Sequence, residues 1–139
     1  AGLDFNKIRK ITKDGYPRAE SMPSAGFAAG PCLLKDTMQL LSFSRNNFSL
    51  GNSSMLVNEG LILYLIDKLE KKYNLKTKKV GLLGMAFKAE SDDTRSSLSY
   101  KMKKFLSTKA KKIICTDPFV KTDKNLSSLE NTIKESDIF

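Results

Sequence analysis

No histidine occurs anywhere in the 139 residues, and no tryptophan. The first absence excludes Ser-His-Asp and Cys-His catalysis within this chain and removes the commonest zinc ligand, so no metal site is expected. Cysteine is scarce. Cys32 and Cys115 are the only two, with no CxxC pairing, which points to reduced thiols in a cytoplasmic protein. Long apolar runs are missing too. The longest, Leu61 to Ile66, has six residues, far below the roughly 20 needed to cross a bilayer. No membrane partner is therefore expected, and the opening residues do not read as a secretory leader.

What is present is an ordinary folding composition, 40% apolar and 28% charged, enough for a core without disulfide or metal staples. The formal net charge is +9. Residues 1–60 carry seven basic and five acidic side chains, residues 61–139 seventeen and ten, so the excess sits in the second half. Such a half suits either a solvated lysine surface or a site for anionic ligands such as phosphates. Nucleic acid is disfavoured as a partner, because the lysines are dispersed, acids are interleaved and tryptophan is absent.

Periodicity divides the chain. Leu3 to Lys13 has the spacing of a short amphipathic helix ended by Asp14-Gly15. Residues 16–31, rich in proline and small side chains, predict a long ordered loop. Leu33 to Phe48 reads as a helix broken by Leu50-Gly51-Asn52, with Ser53 or Ser54 capping the next one. That next helix carries Leu61, Ile62, Leu65, Ile66, Leu69 and Tyr73 as a broad apolar stripe. Then the grammar changes. Val80 to Gly84 predicts a buried strand, Ser96 or Ser97 caps a helix bearing Leu98, Met102, Phe105 and Leu106, and Ile113 to Thr116 predicts a second strand. Residues 78–117 thus predict one β-α-β unit of a parallel sheet. A short helix over Ser127 to Glu135 and the opening of a third strand at 136–139 follow, which predicts a truncated sheet domain.

Two constellations could carry chemistry. In Gly26-Phe27-Ala28-Ala29-Gly30-Pro31-Cys32-Leu33-Leu34-Lys35-Asp36, a small-residue loop delivers a cysteine to the start of a helix. Backbone N–H groups there favour thiolate and oxyanion, and Lys35 and Asp36 lie within one turn. A buried structural cysteine with ordinary first-turn charges is the alternative. Cys115, among isoleucines in a strand, reads as core. In Gly81-Leu82-Leu83-Gly84-Met85-Ala86-Phe87-Lys88, Lys88 lies beyond the carboxyl end of a strand, where open parallel sheets bind ligands, with Asp92, Asp93 and Arg95 soon after. The G-x-G-x-x-G fingerprint is not met. A phosphate site and a plain strand-to-loop turn both remain open.

The runs GFAAGPCLLKD, MLVNEG, KVGLLGMAFKAESDDTRSS and IICTDPFV, in that order and spacing, resemble the UDP-glucose/GDP-mannose dehydrogenase family, NAD-dependent nucleotide-sugar dehydrogenases. The resemblance runs from about residue 16 to the end. It implies an α/β fold: a helical central dimerisation region over 1–76 with the catalytic cysteine loop, then over 77–139 the first half of a Rossmann-like UDP-binding domain. It implies NAD as cofactor, a UDP-sugar substrate, a homodimer, an NAD-binding domain lying upstream, and inactivity of this piece alone. The implied reaction oxidises the C6 alcohol of the sugar to a carboxylate through a thiohemiacetal and a thioester, a covalent route that a thiolate suits. The motif positions make Cys32 the nucleophile and Asp36 its aid in proton transfer or hydrolysis. Ala25, Gly26, Phe27, Ala28, Ala29 and Gly30, with Phe87 and Lys88, match substrate-binding positions, and Lys35 and Arg95 match positions facing the cofactor. Pro31 stands where the glucose branch has Ser and the N-acetylhexosamine branch His, so hexose and N-acetylhexosamine substrates both stay open. A non-catalytic UDP-sugar-binding or dimerisation module is the alternative reading.

Overall fold

The computed structural model describes residues 2–139. Helix α1 (Phe5–Lys13) starts where the Asp4 carboxylate accepts the Asn6 and Lys7 amides at 2.9 and 3.2 Å, satisfying donors that have no partner inside the helix. It ends before Gly15, whose φ of +66° suits a residue without Cβ. Its apolar side chains Phe5, Ile8 and Ile11, and Leu3 just before it, all remain exposed. A 3₁₀ turn at Pro17–Ala19 follows, and the expected loop runs on to Gly30.

Helix α2 (Pro31–Phe43) opens with proline at its first position, where a missing N–H costs nothing. It stops five residues short of the expected Phe48. Arg45 and Asn46 take left-handed φ of +53° and +61°. The Arg45 amide then bonds Ser42 O and the Asn46 amide Leu41 O, a Schellman closure that no proline or glycine announces. The following boundary also departs from expectation. Helix α3 (Ser49–Lys72) includes Leu50-Gly51-Asn52 in its first turn rather than being broken by them, and neither Ser53 nor Ser54 caps it. Gly51 is there because a Cβ would overlap the Phe48 ring, which folds over the helix start.

The second half runs as predicted. Strands β1 (Lys79–Leu83) and β2 (Lys112–Thr116) pair in parallel, with Lys79 opposite Lys112 and Leu83 opposite Thr116. Helix α4 (Leu98–Leu106) connects them, its Ser97 N-cap accepting the Ser99 amide. Helix α5 (Leu129–Glu135), capped by Ser128, lies against both strands. The expected third strand appears as a single parallel bridge, Val80 to Ile138, on the edge of β1 away from β2. The core joins the two halves: Ile62 and Ile66 of α3 and Leu75 pack with Val80 of β1 and Leu98 and Leu106 of α4. Full burial of each such side chain is worth about 1.5–3 kcal/mol. Because α3 shares this core with the sheet, residues on α3 hold fixed positions relative to the carboxyl ends of β1 and β2. Cys115 is buried in β2, as expected, and burial pushes its thiol pKa up.

Candidate functional site

The carboxyl ends of β1 and β2 are tied together by one side chain. Asp117, directly after β2, accepts the Met85 and Ala86 amides on Oδ2 at 2.7 and 3.0 Å, and the Phe119 and Val120 amides on Oδ1 at 2.8 and 3.1 Å. Its partial burial pushes the carboxyl pKa up, but the four amides outweigh that and hold it below the ordinary carboxylate value. The loop leaving β1 is therefore aimed by the residue that ends β2. Its far side closes by the Phe87 amide on Asp93 O at 3.0 Å.

That loop carries Phe87 and Lys88, with the Lys88 ammonium 5.6 Å from the Phe87 ring centroid. Asp93 and Arg95 follow. The Arg95 guanidinium clasps the Asp93 carboxylate through Nε at 3.1 and 3.0 Å and Nη2 at 2.7 Å. This charge-assisted fork lowers the Asp93 pKa and raises that of Arg95, and Lys88 adds to the lowering.

The cysteine loop meets this segment. A Cβ on Gly30 would stand 3.1 Å from the Phe87 ring, so the ring lies on the backbone just before α2. Gly30 has φ of +123°, a second reason for glycine here. Phe27, Phe87 and Lys88 share the wall of a cleft of about 440 Å³ with Gly84, Asp117 and Pro118. Cys32 is exposed in the first turn of α2, and its thiol is close enough to Arg95 to contribute to the raised guanidinium pKa. Lys35 and Asp36 pair with each other at 3.1 Å on the exposed side of α2. Of the residues singled out from sequence, the structure thus gathers Phe27, Phe87 and Lys88 around one cleft, with Gly30 against the Phe87 ring. Ala25, Gly26 and Ala28 are exposed along the loop and Ala29 is half-buried.

Two contributors escaped the sequence reading. Asp117 is one. The second is Asn58 of α3, whose amide pairs with Ala28: Nδ2 donates to Ala28 O at 2.6 Å and Oδ1 accepts the Ala28 amide at 3.2 Å. The signal was an asparagine three residues after buried Met55 and four before buried Ile62, a polar intrusion on the buried side of α3.

Residues 81–139 match the family described as "UDP-glucose/GDP-mannose dehydrogenase family, UDP binding domain". The UDP-N-acetyl-D-mannosamine dehydrogenase of Pyrococcus horikoshii is 30% identical over 128 residues, covering 88% of this chain and 30% of that protein. The solved structure of the P. horikoshii UDP-D-ManNAc dehydrogenase superposes over 99% of this chain and 34% of its own, with a TM-score of 0.81 and 26% identity. A UDP-glucose dehydrogenase from Pyrobaculum islandicum shares the fold at a TM-score of 0.82 and 21% identity, over 99% of this chain and 35% of its own. The chain spans about 30% of the length of the curated relatives it matches. Over residues 81–139 it is therefore similar to the UDP-binding domain of the UDP-glucose/GDP-mannose dehydrogenase family.

Proposed function

We propose that the chain is the thiol-bearing and UDP-holding part of an NAD-dependent UDP-sugar 6-dehydrogenase, with residues 1–76 as its central region and 77–139 as the start of its UDP-binding domain. The observation that carries this reading is the contact of Gly30 with the Phe87 ring, which brings the Cys32 loop against the Phe87-Lys88 segment. A substrate in the adjoining cleft then has a cation beside it in Lys88 and a small-residue backbone along it. Lys88 compensates diphosphate charge, and the exposed Cys32 meets the sugar's C6.

In this scheme the C6 aldehyde is attacked by the Cys32 thiolate, forming a C–S bond while the carbonyl oxygen takes a proton. First-turn amides of α2 and the nearby Arg95 favour the anionic oxygen on the way. After oxidation to the thioester, water adds to the acyl carbon and the C–S bond breaks, returning the thiolate and releasing the carboxylate. Asp36, four residues along α2 from Cys32, orders that water and takes its proton. NAD, held mainly by a preceding domain, would accept the two hydrides, and from this chain Lys35 and Arg95 face it. Pairing of two copies is assigned to α3. Leu50, Val57 and Tyr64 stand exposed on the side away from its buried Met55, Ile62 and Ile66, with exposed Leu56 and Leu63 on the adjoining flank, an apolar surface suited to a second helix.

The test follows NADH formation by the polypeptide carrying this chain behind an NAD domain, against UDP-sugars, with Cys32→Ala beside it. Two NADH per sugar, abolished in Cys32→Ala, is the expected result. UDP binding without any NADH would favour a non-catalytic UDP-sugar module instead.

A further inference from the structure

We propose that Asn58 is the positioning residue of the cysteine loop, its amide clamping Ala28 so that Phe27 stands at the UDP cleft and Gly30 against the Phe87 ring; this rests on the UDP-binding reading above. Residues 23–29 make no backbone–backbone hydrogen bond among the described residues. Two side chains anchor the loop instead. Arg9 donates through Nε to Met22 O and Pro23 O, both at 3.0 Å. Asn58 then pairs with the N–H and the C=O of Ala28 together, as a neighbouring strand would. Between these anchors and α2 no other polar contact holds the loop among the described residues. Ala28 sits directly after Phe27, which lines the cleft with Lys88, and two residues before Gly30, which bears on the Phe87 ring.

The base of the clamp is braced as well. Glu59, the next residue, forms an ion pair with Lys101 of α4. Asn58 therefore projects from a helix tied, through that pair and the Ile62–Leu98 core, to the sheet that carries Lys88. An asparagine is the side chain that fits. It offers one donor and one acceptor side by side, which neither alanine nor a carboxylate does.

The distinguishing experiment uses that asymmetry. UDP is titrated calorimetrically into the wild-type chain, Asn58→Ala and Asn58→Asp, between pH 7 and about pH 3.5, below the ordinary carboxyl pKa. Circular dichroism confirms that each is folded at the temperature used. Asn58→Ala is expected to weaken UDP about tenfold at every pH. Asn58→Asp weakens it at least as much at pH 7, where a carboxylate oxygen faces the Ala28 carbonyl. It recovers towards wild type as the carboxyl protonates near its ordinary pKa of about 4 and regains a donor. The charged groups beside position 58, Glu59 and its partner Lys101, are present in both variants and cancel in their ratio. A helix-stabilising role alone lowers Tm without moving the UDP Kd of folded protein. Wild-type chain that ignores UDP overturns the functional reading itself. Wild type that binds UDP while Asn58→Ala binds within twofold of it, or an Asn58→Asp deficit that persists in acid, overturns the clamp alone.

Discussion

Replacing Asp117 with asparagine removes a charge and almost no volume, so it isolates what the carboxylate does at the ends of both strands. Its two oxygens accept four backbone amides between 2.7 and 3.1 Å. An asparagine amide has one accepting oxygen, and its NH₂ side would point at two N–H donors. Two amides at a half-buried site then lose their acceptor. A hydrogen bond to a charged group is worth about 1.5–3 kcal/mol, and water reaching this site recovers part of that, so the expected loss is about 2 kcal/mol. At this chain length it corresponds to a fall in Tm of about 6–10 °C. The pH dependence carries the sharper signature. The folded-state pKa of Asp117 is depressed, so its contribution is fully present above the unfolded carboxylate pKa and is lost as pH falls through the folded value. Wild type thus loses this stability below about pH 4, whereas Asp117→Asn has none of it to lose. Urea unfolding followed by far-ultraviolet circular dichroism, at pH 7 and at about pH 3, should show the gap between the two narrowing in acid. A gap under about 0.5 kcal/mol at pH 7, the range of an indifferent surface change, would refute the reasoning. So would a gap that widens in acid.

Gly30→Ala adds a Cβ 3.1 Å from the Phe87 ring at a φ of +123°, so the ring must shift and calorimetry should read UDP about tenfold weaker. An unchanged Kd would remove the Phe87 contact from the account of the cleft. Val57→Lys places a charge in the exposed apolar stripe of α3 and is expected to convert a dimer to monomer by light scattering. Equal masses for wild type and variant would rule α3 out as the pairing face.

The segments legible in the sequence were those governed by neighbours three or four residues away. Val80 to Gly84 and Ile113 to Thr116 read as strands, and Leu98 to Leu106 as the helix between them, because each holds its own period and its own start signal. The misread boundary lay around residue 50, where glycine, normally a breaker, is used to admit the Phe48 ring. Nothing in Leu50-Gly51-Asn52 itself distinguishes the two cases, since the deciding atom belongs to another residue's side chain. The same is true of α2, which ends through left-handed Arg45 and Asn46, residues that ordinarily continue a helix or a turn equally well.

By itself, then, the sequence determined the α/β class, the parallel β-α-β unit, and the delivery of Cys32 from a small-residue loop to a helix start, all of them local consequences of spacing and side-chain type. Only the tertiary structure decided how the site is assembled. Asn58 reaches Ala28 across 30 positions and Asp117 reaches Met85 across 32. Ile138 joins the edge of β1 rather than that of β2, and the Phe87 ring meets Gly30. Each of these contacts exists because the shared core of α3, β1 and α4 sets elements far apart in sequence at bonding distance. That is a property of the packed whole, which no local pattern of residues encodes.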